Sequence, residues 1–324
     1  MTKILANDGI DSTGKKMLED AGFTVDTQKI AQEELAEKLK SYDAITVRSA
    51  TKIRKDIIDA NPQLKLIGRG GVGLDNIDVE YAKQHSIRVI NTPMSSSASV
   101  AEMVFAHIYS GVRLLSHTNR QMNLDPISTF NNLKKLSSNG VELRGKTMGI
   151  IGFGRIGQEV AKIAFGMGMK VMAFDPYVPE IELPFYFHEA YNLPSVKIKL
   201  TTYSKETVLK EADFISLHVP FNEGDKAVIG AAELNLMKKG SGIVNCARGG
   251  VIDEAALTEA LKSGHLMFAG LDVFTSEPPK EKTELFTLPN ISLSPHVGGS
   301  TVEAQNRIGI ELAEKIIDFF KNNK

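Results

Sequence analysis

Hydrophobic positions along this chain fall into two alternating patterns. Short apolar runs suited to buried strands are separated by stretches in which apolar residues recur at helical spacing. Over residues 3–94 this predicts strands at Lys3–Ala6, Phe23–Asp26, Ala44–Arg48, Leu64–Ile67 and Arg88–Ile90. Helices are predicted between them at Gly14–Glu19, Glu33–Lys40, Arg54–Ala60 and Val79–Gln84. Such regular alternation implies a parallel sheet with helices on both faces. Asn91-Thr92-Pro93-Met94-Ser95-Ser96-Ser97-Ala98 then interrupts it with a proline and a serine cluster, which predicts a crossover between domains. Ser99-Val100-Ala101-Glu102 has the form of a capping box and opens a helix predicted to reach about Arg120. Asn123–Gly140 is polar and is predicted as loop.

The alternation resumes with a strand at Thr147–Ile151, a helix, and a strand at Lys170–Phe174. The proline-bearing stretch Pro176–Pro194 fits neither pattern. Beyond it come strands at Asp213–Val219, Gly242–Ala247, Phe268–Val273 and Ile291–Ser294. Helices are predicted at Lys205–Ala212, Ala231–Lys238, Asp253–Ser263 and Val302–Phe320. The expectation is an α/β protein of two doubly wound parallel-sheet domains, one inserted in the other, with a ligand cleft between them. The outer domain would take residues 1–98 and 294–324, and the inserted one 99–293.

Between Ile151 and Asp175 the pattern acquires chemistry. Gly152-Phe153-Gly154-Arg155-Ile156-Gly157 links the strand to the helix, and Asp175-Pro176 closes the next strand. Gly152 permits a tight turn, Gly154 admits a pyrophosphate to the backbone amides at the helix start, and Gly157 lets helix and strand pack closely. An acid after the second strand can accept hydrogen bonds from both ribose hydroxyls. A second match, Gly68-Arg69-Gly70-Gly71-Val72-Gly73, also follows a strand, but the position matching Asp175 is Asn91. Asp75 and Asn76 also delay any helix there. The later copy therefore reads as the dinucleotide cradle and the earlier one as a glycine loop near the site. Asp175 favours NAD over NADP, since a 2′-phosphate would meet a carboxylate.

Composition removes several alternatives. The chain has 324 residues, enough for two substantial cores, and a formal net charge of −1, which gives no bulk electrostatic hold on nucleic acid. The single cysteine, Cys246, excludes an internal disulfide and a multi-cysteine metal site, and fits a reducing compartment. Met1-Thr2-Lys3-Ile4-Leu5-Ala6-Asn7-Asp8 turns polar too soon for a signal peptide. No run reaches the ~18 apolar residues of a membrane span. A cytoplasmic protein with no nucleic-acid, membrane or metal partner is expected.

Strand ends supply the remaining candidates. In the first half, Arg48 and Ser49 close the third strand, while Arg69 and the backbone of Gly71, Val72 and Gly73 follow the fourth. Those positions suit an anionic ligand. In the second half, Val244–Gly250 presents Arg248, Leu271–Pro278 presents Glu277, and Leu293–Thr301 presents His296. Hydride transfer on a 2-hydroxy acid needs these three types. A guanidinium pairs with the carboxylate and polarises the carbonyl, an imidazole exchanges the hydroxyl proton, and a carboxylate orients the imidazole. His85, His107, His117, His188 and His265 have no motif around them and read as surface or packing residues. His218, in Leu217-His218-Val219-Pro220, ends a strand where its backbone can line the cofactor pocket.

Taken in order, Val47–Lys52, Gly68–Asp78, Asn91-Thr92-Pro93, Gly152–Gly157, Val244–Glu254, Leu271–Pro279 and Ser294–Gln305 resemble the NAD-dependent D-isomer-specific 2-hydroxyacid dehydrogenases over essentially the whole length. Within that family the likeness is greatest to the branch acting on 3-phospho-D-glycerate. The resemblance implies a flavodoxin-like substrate domain and a Rossmann NAD-binding domain. It implies Arg248, Glu277 and His296 as the catalytic set, with Arg248 and His296 also touching substrate and cofactor. Further NAD contacts are implied at Arg155, Ile156, Asp175, Pro176, His218, Val219, Pro220, Cys246, Ala247, Asp272 and Gly298, with Asp272 on the nicotinamide carboxamide. It implies a homodimer formed through the cofactor domain, with the helix from Ser99 in the interface. The chain departs from relatives at Ser96, where they often carry Asn, and at Leu133, where they carry Trp before a basic pair, here Lys134-Lys135. With the chain ending at Lys324, no serine feedback through a C-terminal regulatory domain is expected. The alternatives are another substrate, such as glyoxylate, hydroxypyruvate or lactate, and an NAD-sensing, corepressor-like interaction module.

Overall fold

The computed structural model describes residues 1–222 and 224–322. It divides into two compact units, Met1–Ser99 with the chain from Gly299 onward, and Val100–Gly298. Ser294–Gly298 thus belongs with the second unit, whereas the sequence reading placed it in the outer domain.

The first unit contains β1 (Lys3–Ala6), α1 (Ser12–Asp20), β2 (Thr24–Asp26), α2 (Leu35–Lys38), β3 (Ala44–Val47), α3 (Lys55–Ala60), β4 (Leu66–Arg69), α4 (Val79–Gln84) and β5 (Arg88–Asn91). The last helix, Val302–Asn322, returns to it. The five strands are all parallel in the order β2-β1-β3-β4-β5, the flavodoxin-like arrangement. Strand periodicity explains the two cores. Ile4, Ala44 and Leu66 point to a cluster with Leu18, Leu312 and Ile316, while Leu5, Ile45 and Ile67 point to one with Leu35, Ile57 and Ile77. The predicted helix Glu33–Lys40 is α-helical only over α2, with 3-10 turns at Gln32–Glu34 and Leu39–Ser41. Strand β4 runs two residues later than predicted, because Gly68 and Arg69 continue the ladder against Thr46 and Val47.

Helix α5 (Ser97–Val112) starts in the last residues of the first unit and runs on into the second, which continues with α6 (Leu115–Leu124) and α7 (Pro126–Ser137). The single helix predicted to Arg120 is therefore two, separated at Leu114, whose φ of 54° is left-handed. The predicted loop Asn123–Gly140 contains α7. Asp125 caps that helix by accepting from Ile127 N and Ser128 N, and Pro126 takes the first helical position. Next come β6 (Thr147–Ile151), α8 (Arg155–Gly166), β7 (Lys170–Phe174), β8 (Glu180–Phe185) and β9 (Val196–Thr201). The unit ends with α9 (Lys205–Glu211), β10 (Phe214–Leu217), α10 (Ala231–Leu236), β11 (Ser241–Asn245), α11 (Glu254–Lys262), β12 (Leu266–Leu271) and β13 (Ile291–Leu293).

Its main sheet is parallel in the order β7-β6-β10-β11-β12-β13. Among the described residues no strand lies outside β7. The Pro176–Pro194 stretch, which fitted no pattern, contains β8, which pairs antiparallel with β9 just beyond it. Leu183 on one face of the hairpin is buried in the unit's core, and Glu180–Lys199 and Glu182–Lys197 pair on the exposed face. No described helix is long and apolar enough to cross a membrane.

Helix α1 and the last helix cross at glycine. A Cβ on Gly14 would lie 2.4 Å from the carbonyl oxygen of Gly309. Gly14→Ala must push the helices apart, an overpacking cost of about 1–3 kcal/mol. Urea unfolding should show that loss as a lower midpoint at unchanged slope.

Candidate active site

In the second sheet the connection from β6 runs outward to β7, and the chain then crosses back to β10 on the other side of β6. The gap beyond the carboxyl ends of β6 and β10 is the topological switch point, where α/β sheets take their ligands. Gly152 turns there with a φ of 92°, and a Cβ on it would strike the His218 carbonyl oxygen at 2.4 Å. Gly157 packs as tightly on the Gly152 carbonyl, at 2.3 Å from its would-be Cβ. Gly154, by contrast, faces open space, with nothing within 4 Å. It caps α8 without a side chain, so the first amides of that helix, around Arg155 and Ile156, are open to an anion.

Asp175 follows β7. Its Oδ2 accepts from Phe153 N and its Oδ1 from Tyr177 N, both at 2.8 Å, leaving one acceptor position on each oxygen for a diol. An opening at a helix start beside a half-satisfied carboxylate fits the pyrophosphate and adenosine ribose of NAD. Pro176 continues from Asp175, and Val219 and Pro220 from His218. Cys246 is buried, and burial together with the Asp272 charge pushes its thiol up.

The catalytic candidates also sit at strand ends. After β11, Asn245 ties its own turn by donating to Arg248 O and accepting from Ala247 N. Gly249 then lets this turn touch the next one: a Cβ would fall 1.8 Å from Phe274 O. From that second turn Glu277 accepts Phe274 N through Oε1 and binds His296 Nδ1 through Oε2 at 2.6 Å. Burial pushes the Glu277 carboxyl up, but the His296 hydrogen bond and charge, the Phe274 amide and the Arg248 guanidinium outweigh it and hold it below the usual range. His296 itself has a left-handed φ of 54°. With Nδ1 committed to Glu277, Nε2 is the ring atom offered to a ligand. Asp272, 1 % exposed, accepts from Val297 N at 2.9 Å and Gly298 N at 2.7 Å, which fixes the backbone immediately after His296.

In the first unit, Arg48 and Ser49 follow β3, Arg69 ends β4, and Gly71, Val72 and Gly73 come next. Two residues with no assigned role hold these loops. Asp8 accepts from Arg48 N, Thr51 N and Thr51 Oγ1, and Asn76 donates to the carbonyls of Arg48 and Thr51. Asp8 itself follows strand β1, so the strand-end rule that found Arg48 could have found it. Asn91, the counterpart of Asp175, spends its amide on the Val72 carbonyl at 2.7 Å. It shapes the glycine loop from within. Lys134 and Lys135 stand exposed in the last turn of α7, and Leu133 is buried beside them. Among the described residues no cluster of His, Cys, Asp or Glu could hold a metal ion.

Known proteins match this geometry. Residues 105–298 fit the family model for the NAD-binding domain of D-isomer-specific 2-hydroxyacid dehydrogenases. The chain is 42% identical over 317 residues to a hydroxypyruvate reductase from Thermotoga maritima, covering 97% of each. The chain belongs to this family. It is an NAD-dependent D-2-hydroxyacid dehydrogenase. It is also 42% identical over 316 residues to a D-3-phosphoglycerate dehydrogenase from Methanocaldococcus jannaschii, covering 98% of this chain and 57% of that one. The chain thus spans a little over half of that relative. The NAD⁺-bound 3-phosphoglycerate dehydrogenase of Entamoeba histolytica superposes with a TM-score of 0.77 at 28% identity, over 100% of this chain and 96% of that one.

His218 yields a pH test. Its Nε2 bonds Ser216 Oγ at 2.6 Å, Nδ1 is buried with no partner among the described residues, and burial pushes the ring down to about 3. The unfolded chain takes up a proton near pH 6.5 that folded His218 refuses. This contribution to stability is full above pH 6.5 and lost as pH falls toward 3. At pH 5.5 the loss is about 1.4 kcal/mol. His218→Asn should lose that much less than the parent between pH 7.5 and 5.5 in urea midpoints.

Proposed function

We propose that the protein oxidises 3-phospho-D-glycerate to 3-phosphohydroxypyruvate reversibly, the step that opens serine synthesis. The reading rests on one observation above all: Glu277 binds His296 Nδ1 at 2.6 Å, with the Arg248 charge acting on the same carboxylate. Arg248 pairs with the substrate carboxylate and draws electron density from the C2 oxygen. His296 Nε2 takes the C2 hydroxyl proton during oxidation and returns it during reduction. Glu277 stabilises the imidazolium that this transfer creates and fixes the ring plane. NAD, when bound, accepts the hydride from C2 or supplies it. Asp272 keeps one acceptor direction on Oδ2, suited to an amide N–H of the nicotinamide carboxamide.

A phosphorylated substrate is favoured by basic residues at strand ends of the first unit. Arg48, Arg69 and the Val72 and Gly73 amides form the anion site in this reading. The second reading is reduction of hydroxypyruvate, favoured by the Thermotoga relative matched almost end to end. Two carboxyl-terminal helices of the α5–α7 set support homodimerisation through this unit. Helices α6 and α7 expose Leu115, Leu124, Ile127 and Phe130, with Ile127 91% and Leu124 80% exposed.

Steady-state NADH oxidation compares phosphohydroxypyruvate with hydroxypyruvate, glyoxylate and pyruvate. The highest kcat/KM should fall on phosphohydroxypyruvate, with Arg69→Ala raising its KM more than that of hydroxypyruvate. A preference for hydroxypyruvate selects the second reading, and NADH binding without turnover on any of them selects an interaction module. His296→Asn should lower kcat by at least ~10²-fold. In light scattering after size exclusion, the parent should run at twice the chain mass, and Ile127→Glu with Phe130→Glu at the chain mass.

A further inference from the structure

His107 lies on α5, buried at 3 % exposure, away from the catalytic set in sequence. Both its ring nitrogens are engaged: Nδ1 with Ser292 Oγ and Nε2 with Ser294 Oγ, each at 2.9 Å. Ser294 Oγ in turn donates to Asp272 Oδ1 at 2.5 Å. Burial pushes the His107 ring down against the opposing pull of Asp272, so the ring is neutral and carries one proton.

Proton bookkeeping orients the whole chain. A carboxylate only accepts, so the Ser294 proton points to Asp272 and its oxygen must accept from His107 Nε2–H. Nδ1 is then the acceptor and takes the Ser292 proton. Ser292 oxygen receives Ser116 Oγ–H at 3.3 Å, and Ser116 pairs with Ser110 at 2.5 Å. The donors run in one direction, from Ser110 to Asp272. With Ser294, Val297 N and Gly298 N, Asp272 has three donors that fix both of its oxygens. The sequence gives a reason for this arrangement: Gly270 clears the space, since a Cβ there would lie 2.5 Å from the His107 Cβ.

We propose that His107, acting through Ser294, is a positioning residue for hydride transfer. It holds the Asp272 carboxylate in the one rotation that grips the Val297 and Gly298 amides and so sets the backbone behind His296. The same rotation leaves the remaining Oδ2 acceptor direction for the nicotinamide carboxamide. Loss of the relay therefore degrades both NADH affinity and the proton-transfer geometry, and leaves 2-oxo acid binding by Arg248 alone. This inference rests on the hydride-transfer reading, and not on which 2-oxo acid is reduced.

The test uses the intact protein and whichever 2-oxo acid the parent reduces. His107→Leu removes both ring hydrogen bonds, His107→Gln keeps one acceptor and one donor, and Ser294→Ala removes the link to Asp272. NADH affinity comes from fluorescence titration, and kcat and KM from steady state. In His107→Leu and Ser294→Ala, kcat should fall about tenfold and NADH affinity about fivefold, with the 2-oxo acid KM within about twofold. His107→Gln should recover most of both losses. The proposal is overturned if folded His107→Leu and Ser294→Ala keep kcat and NADH affinity within about twofold of the parent. It is equally overturned if His107→Gln is as impaired as His107→Leu, which would make the role one of packing. Should His107→Leu not fold, Ser294→Ala decides alone. An inactive parent that still binds NADH would refute the hydride-transfer reading instead, so the two failures are distinct.

Discussion

A parallel sheet buried on both faces leaves its polar chemistry one outlet, the ends of its strands. In the second unit Ile150 and Ile151 face opposite cores, as do Phe214 and Ile215. No charged side chain can sit mid-strand at tolerable cost, because neither face has water to solvate it. Gly152, Asp175, His218, Arg248, Asp272 and His296 all come within a few residues after a strand. The fold gathers them because successive parallel strands point the same way. Close approach of two turns at Gly249 and Phe274 then brings Arg248 within electrostatic reach of Glu277.

Burial divides the histidines by chemistry. His218 and His107 lie where desolvation outweighs every nearby charge, so their rings are neutral and serve as hydrogen-bonding solids. His296 is 37% exposed and paired through Nδ1 with the Glu277 carboxylate, so its ring is open on the side that its partner leaves free. The carboxylates differ in the same way. Glu277 holds one partially exposed imidazole through a single oxygen, whereas Asp272 is immobilised by three donors on both oxygens.

Much of this was legible in the chain, and the omissions have causes. Strand and helix alternation is a strong signal, and it recovered both sheets. Helix α7 was missed because Ser128, Thr129, Asn131 and Asn132 break up its apolar positions, although Asp125-Pro126 is a start signal. The hairpin β8–β9 was missed because it uses a single buried face anchored by Leu183, with salt-bridged residues and prolines around it. His107 was read as a packing residue because no motif surrounds it. Its partners Ser292, Ser294 and Asp272 are at least 165 positions away and reach it only through the fold.

By itself the sequence determined the layered α/β class, the dinucleotide turn and the family, since these depend on local periodicity and on contiguous motifs. It also separated the two glycine loops, because Asp175 and Asn91 differ in charge. Only the tertiary structure decided which strand ends meet. Hydrogen bonds such as Glu277 to His296, Asn91 to Val72 and His107 to Ser294 depend on distances and directions across 19 to 187 positions of chain. No pattern along the sequence records those, because the packing of the strands sets them.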